Sequence, residues 1–131
     1  MDINVAAVKA EVEAAFARYE IALMANDVAT LQDLFWNSPH TLRYGINEIL
    51  HGWDEIGAFR GSRPAAGLAR VIFRTVITTF GRDFATASTL FHRDSLPGKI
   101  GRQQQSWVRF PDGWHIVAAH VSVIADPNHA P

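Results

Sequence analysis

Apolar positions between Val5 and Met24 recur at spacings of three and four. Val8, Val12, Ala15, Phe16, Tyr19 and Leu23 form one stripe of an amphipathic helix, with Glu11, Glu13, Arg18 and Glu20 on its other faces. Asn26 and Asp27 break that helix and cap a second one, whose buried side is Leu31, Leu34 and Phe35. Asn37-Ser38-Pro39 ends it. Thr41 to Tyr44 and Glu48 to Leu50, joined by a turn at Gly45 to Asn47, read as a small hairpin closed by Gly52. Trp53 to Arg60 predicts a third short helix with Ile56 and Phe59 inward, followed by a loop from Gly61 to Gly67. The pattern then changes period. Leu68 to Phe80, Phe84 to Arg93, Ile100 to Phe110 and Trp114 to Ile124 are long β-like runs, parted by Gly81-Arg82-Asp83, Ser95-Leu96-Pro97-Gly98 and Pro111-Asp112-Gly113. A helical half followed by hairpin-linked strands predicts an α+β layer, an antiparallel sheet with helices on one face. One domain is expected over residues 1–125, with 126–131 as a frayed tail.

Composition narrows the function classes. A chain of 131 residues buries roughly two thirds of the surface it exposes when unfolded and needs no staples. Cysteine is absent, which removes disulfides, thiolate metal sites and thiol nucleophiles and suits a reducing, cytoplasmic setting. No basic region leads into an apolar run at the start, and no stretch reaches the roughly 18 apolar residues of a membrane span, so neither export nor insertion is expected. Twelve basic side chains nearly balance thirteen acidic ones, leaving no field for nucleic acid. A small molecule or a protein is the expected partner. Ten of the twelve cations are Arg, a bias that suits two-pronged carboxylate binding and that a GC-rich genome produces equally well.

The candidate chemistry follows from placement. Tyr19 lies on the apolar stripe with Phe16 and Leu23, so its ring packs on the sheet and its hydroxyl must find a partner, backbone or ligand. Arg43, in Thr-Leu-Arg-Tyr-Gly, shares a face with Thr41 and opposes Leu42 and Tyr44, and either face could be inward. An inward guanidinium stays charged and demands an anion. The six His residues show no metal-binding spacing, and no nucleophile elbow or phosphate loop is present, so no metal and no cofactor are predicted.

The segments Phe16 to Leu23, Leu34-Phe35-Trp36, Thr41 to Gly45, Phe59-Arg60 with Arg63, Ile77 to Gly81, Gly101 to Arg109 and the ending Gly113 to Ser122 resemble the NTF2-like superfamily over nearly the whole chain. Within it they are similar to the AtzH-like group, which includes proteins tied to oxalurate breakdown and a 1,3-dicarboxyurea amidohydrolase. The resemblance implies an NTF2-like (cystatin-like) cone, three N-terminal helices on a curved antiparallel sheet. It also implies a small cytoplasmic enzyme acting beside an amidase that makes its substrate, with Tyr19 and Arg43 as the working pair.

Residues and resemblance together imply one activity. The chain acts as an amidohydrolase that cleaves a C–N bond, with loss of carbon dioxide, in an N-carboxylated urea or related ureide. Arg43 holds a carboxylate and Tyr19 passes a proton, the acid and base roles being open to exchange. Arg63 and Arg60 stand at the mouth for a second carboxylate. Trp36, Gln104 and His120 line the pocket, the last sharing an inward face with Trp114, Ile116, Ala118 and Ser122, and Arg102 is a further wall candidate. The floor is closed by Phe16, Trp36 and Phe80, and no acid is buried with the cations. An isomerase would need such an acid, for which Asp33, Glu48 and Asp94 are the entrants; a binding or assembly module would need no chemistry. A homodimer through the exposed sheet, and a pathway amidase as partner, complete the expectations.

Overall fold

The computed structural model describes residues 1–128. Helix α1 (Ala6–Met24) buries Val8, Val12, Phe16, Tyr19 and Leu23 as its spacing predicts. Its stop signal is local. Asn26 takes φ 50°, and the N–H groups of Asn26 and Asp27 return to the carbonyls of Leu23 (3.1 Å) and Ala22 (2.8 Å), the paired bonds of a Schellman ending. The Asp27 carboxylate then accepts from Thr30 N–H and Thr30 Oγ1, capping α2 (Val28–Leu34). Those two bonds, the hydroxyl's first, hold the Asp27 carboxyl below its usual range. One dipeptide thus ends α1 and starts α2.

Next come β1 (Leu42–Tyr44), β2 (Ile49–His51), α3 (Trp53–Ser62), β3 (Val71–Phe80), β4 (Phe84–His92), β5 (Lys99–Phe110) and β6 (Gly113–Ala125). The strands form one sheet in the order β2-β1-β6-β5-β4-β3. Four of its five pairings are antiparallel; β1 runs parallel to β6, Leu42 facing Ala118 and Tyr44 facing His120. The expected all-antiparallel sheet is corrected at this one seam. The chain enters β1 from α2, and the small hairpin is joined to β6 across the full length of the intervening strands, so no tight turn dictates its direction. The core lies between helices and sheet, where Val12, Phe16, Leu31 and Ile56 meet Ala85, Ala87, Trp107 and Ile116. Burying each large side chain contributes about 1.5–3 kcal/mol.

Two irregularities decide which residues face that core. In β5 and β6, Trp107 pairs with Ile116 but Ser106 pairs with Ala118, so Val117 is an extra residue in β6. The bulge inverts the alternation beyond it. Trp114 and Ile116 are buried before the bulge and Val121 after it, whereas His120 is exposed. A second shift in β3, between Phe73 and Val76, contains Arg74 at φ 52°. At the first residue of the expected tail, Asp126 N–H donates to the Gly98 carbonyl and the carboxylate meets His92 Nε2 at 2.8 Å. Residues 129–131 of that tail lie outside the described residues. Among the described residues no helix is long and apolar enough to cross a membrane.

Candidate active site

Three inward stripes converge on a cavity of about 180 Å³ between α1, α3, the small hairpin and the inner face of the sheet. Helix α1 supplies Tyr19 and Leu23, the hairpin supplies Arg43 and Glu48, and the stretch around α3 supplies Phe59 and Arg63. Arg70, just before β3, and Arg93, just after β4, enter from the far wall, with Gln103 of β5 between them and the helices.

Each cation sits on an aromatic ring. The Cζ atoms of Arg43 and Arg63 lie 5.4 and 5.7 Å from the centre of Phe59; those of Arg70 and Arg93 lie 4.6 and 5.1 Å from Phe91; Arg60 lies 4.9 Å from Phe35. Phe35 in turn packs on Tyr19, ring centres 6.4 Å apart. A desolvated guanidinium on a phenyl face gains up to about 2 kcal/mol. That is far less than hydration provides, so the rings orient these charges without neutralising them.

Two carboxylates offset part of the charge. Arg70 donates from Nε and Nη2 to Glu20, and from Nη2 to Gln103 Oε1 at 2.9 Å; Arg43 Nη1 donates to Glu48 Oε1 at 2.9 Å. Five guanidiniums therefore face two carboxylates. Among the described residues, Nε of Arg43, all three nitrogens of Arg60, Nε and Nη2 of Arg63, Nε of Arg93 and Nε2 of Gln103 are buried without a full hydrogen-bond partner. A surplus of buried donors costs stability in the empty protein and is relieved by an anion rich in acceptors.

The same charges act on Tyr19, which is 2 % exposed. Burial pushes its phenol up, but the guanidiniums of Arg60, Arg70 and Arg43 together outweigh burial and the smaller opposing effect of Glu20. The net direction is down from the ordinary value of 10.0. Arg60 is lowered to about 10, chiefly by burial and then by Arg43 and Arg63, with Tyr19 acting in the opposite sense. Arg63 and Arg93 are lowered too, burial first in each case.

The residues singled out from the sequence divide cleanly. Tyr19, Arg43 and Arg63 come together in the cavity. Arg60 is corrected from the mouth to the interior, at 0 % exposure. Gln104 and His120 pair with each other on the outer face of the sheet, in a separate cleft with Arg102 and Ser122; Gln103 and Gln105 are the buried glutamines of that run. The bulge at Val117 is why the β6 expectation inverted, and plain alternation from buried Trp107 is why Gln104 faces out. Trp36 stacks on Phe110, ring centres 5.1 Å apart, in another cleft with Trp53 and His115. None of the expected floor residues Phe16, Trp36 and Phe80 lines the cavity; Phe59 does, while Phe91 lies under Arg70 and Arg93 and Phe35 under Arg60. The expectation of no buried acid is overturned by Glu20, with Glu48 half-buried at the cavity wall, each already committed to a guanidinium.

Sequence reasoning missed Glu20, Arg70, Arg93 and Gln103. Three of them carried a signal. Glu20 continues the four-residue series Val8, Val12, Phe16; Arg93 continues the alternation Ala85, Ala87, Thr89, Phe91; and Gln103 lies two and four residues before Gln105 and Trp107. Arg70 precedes its strand and carried none. Among the described residues no three His, Asp or Glu side chains are grouped as a metal-ligand set.

A family model described as AtzH-like matches residues 1–127. Among solved structures, a protein of unknown function from Pectobacterium atrosepticum is 57% identical, with 95% of this chain and 96% of that one covered and a TM-score of 0.92. A cystatin-like fold protein from Burkholderia xenovorans is 50% identical, with 97% and 99% covered and a TM-score of 0.93. A nuclear transport factor 2 (NTF2-like) superfamily protein from Salmonella enterica is 26% identical, with 93% and 94% covered and a TM-score of 0.74. Among curated proteins none matches. The α+β cystatin-like, NTF2-like fold expected from the sequence is the fold these structures share with the chain.

Proposed function

The chain belongs to the AtzH-like family, and from that premise we propose that it is a small-molecule amidohydrolase of nitrogen catabolism that removes a carboxyl group from an N-carboxylated urea such as 1,3-dicarboxyurea. One observation carries the reading: five guanidiniums and a run of unpartnered buried donors surround a single phenol whose acidity they raise. A carboxylated ureide supplies the acceptors that the cavity-lining donors of Arg43, Arg63 and Arg93 lack. Arg43 presents a carboxylate-sized fork to it, and Arg63 and Arg93 supply further charge across the opening.

In the reacting step Tyr19 gives its proton to the substituted nitrogen. The bond from that nitrogen to the carboxyl carbon breaks, its electron pair stays on nitrogen, and carbon dioxide leaves. Water then returns a proton to the phenolate, and the hydroxide it leaves takes up carbon dioxide as bicarbonate. A phenol below its ordinary range is a better acid near neutrality, and positioned proton transfer contributes roughly 10²–10⁴ in rate. An isomerase is less well supported, because both carboxylates in the cavity are tied to guanidiniums rather than free to abstract a proton.

The protein incubated with freshly generated 1,3-dicarboxyurea, with oxalurate and with allophanate should release carbon dioxide from the first, and that ligand should raise the melting temperature. Saturation at 100 times Kd stabilises the fold by about 2.7 kcal/mol. Stabilisation without turnover would assign the protein to a ligand-binding module of the same pathway; neither effect would remove the ureide altogether. We further propose action in the cytoplasm, a pathway amidase as functional neighbour, and a homodimer through the outer sheet face, where Val76, Phe84 and Ile124 are exposed. Light scattering at twice the 14.5 kDa chain mass is the expected result, and monomer mass across a wide concentration range would count against the dimer.

A further inference from the structure

Arg60 sits apart from the other cavity cations. It is fully buried, it does not line the cavity, and all three of its nitrogens lack a full hydrogen-bond partner. The spacing from Ile56 to Arg60 places both on the inward stripe of α3, and the guanidinium comes to rest over Phe35, the ring against which Tyr19 packs. Tyr19, the other neighbour of that ring, is the group that acts on Arg60 in the stabilising sense. A buried cation with no counter-ion is among the more expensive arrangements a fold can hold, and apolar replacement of such a group is often stabilising. The arrangement makes sense if the counter-ion exists only during the reaction.

We infer that Arg60 is a positioning residue for Tyr19, the built-in counter-ion of the phenolate that Tyr19 becomes when it gives up its proton. The inference rests on the assignment of Tyr19 as proton donor. Charge develops on the phenol oxygen as the O–H bond breaks, and a fixed cation beside that oxygen, already desolvated, stabilises the transition state with no reorganisation. The other charged groups facing Tyr19 are already spoken for or solvent-linked. Glu20 on α1 and Arg70 before β3 neutralise one another, Arg43 on β1 is held by Glu48, and Arg63 and Arg93 are half-buried at the opening. Arg60 is the fully buried one, and among the described residues no carboxylate meets its nitrogens.

The chain has two tyrosines, Tyr19 and Tyr44, and Tyr44 stands on the outer sheet face, so a Tyr44→Phe background leaves Tyr19 as the sole phenol. Its ionisation is then read directly from phenolate absorbance. In that background Tyr19 should titrate below pH 10, and adding Arg60→Met should move the midpoint upward by a pH unit or more, because burial then acts with one fewer opposing cation. Arg60→Lys, which keeps the charge, should titrate near the parent. In turnover, Arg60→Met should lower kcat roughly 10²–10³-fold with KM within a few fold, and its alkaline limb should shift the same way as the phenolate midpoint. Should Arg60→Met unfold before its phenol ionises, the limb of kcat in Arg60→Gln reads the same quantity. An identical Tyr19 midpoint with and without Arg60, in a protein that does turn over the ureide, overturns the inference alone. A shifted midpoint in a protein that turns over no ureide sustains the pairing and sinks the proposed reaction instead.

Discussion

Tyr19→Phe is expected to turn over the carboxylated ureide roughly 10²–10⁴-fold more slowly than the parent while its ligand affinity stays within a few fold. The change removes one oxygen from a ring that is otherwise held by Phe35 and the core, so the fold has no reason to move. The loss falls on kcat because the proton is needed in the transition state and not for docking. Arg43→Lys should differ in kind. Lysine keeps the charge but replaces a planar fork with a point donor, and it loosens the contact to Glu48, so ligand binding weakens, and turnover with it where the carboxylate is held through the reaction. The comparison reads two numbers per variant, kcat and the ligand's Kd. A Tyr19→Phe protein that cleaves the ureide at the parent rate, with an unchanged melting temperature, would reduce the tyrosine to a packing residue.

What the sequence made legible follows the strength of each local signal. The Asn26-Asp27 junction, the three helices and the four long strands rest on capping and periodicity that tertiary contacts did not override. Tyr19 was legible because it lies on a helical stripe; for Arg43 alternation left either face open and the resemblance alone pointed inward, where it lies beside fully buried Thr41. His120 was misplaced because a single inserted residue, Val117, inverts every later position of a strand, and nothing in a run of Val, Ala and Ala announces a bulge. Trp36 was misplaced because it follows a helix end, where direction is set by the turn: its N–H donates to Ile116 O, and its own carbonyl accepts from Thr41 Oγ1. Glu20 was passed over for a chemical reason. A carboxylate on an apolar stripe is ordinarily a solvated edge, and it becomes a core residue here because Arg70, fifty positions away, arrives to pair with it. Charge pairs of that sequence separation leave no local trace.

The largest effect expected on the scaffold itself comes from a residue without a side chain. Gly101 in β5 faces Phe91 in β4, and a Cβ added at Gly101 would lie 2.1–2.3 Å from three atoms of the Phe91 ring. That ring is 1 % exposed and carries Arg70 on one contact and Arg93 on another, so it has no free volume into which to retreat. Overpacking of a filled site costs about 1–3 kcal/mol and at times more. Gly101→Ala is therefore expected to destabilise by about 2–3 kcal/mol, roughly 10 °C in Tm for a domain of this size. The consequence reaches the cavity, because displacing Phe91 displaces the platform of two of its four lining cations, and anion binding should weaken alongside stability. A second substitution separates the two effects. Adding Phe91→Leu to Gly101→Ala restores room for the methyl group, so part of the melting temperature should return, yet the aromatic face is gone and binding of a dicarboxylate should stay weak. Thermal melts with and without malonate read both quantities in one experiment. A Gly101→Ala protein that melts with the parent would mean that the ring moves aside freely, and the Phe91 platform would then cease to be a rigid part of the site.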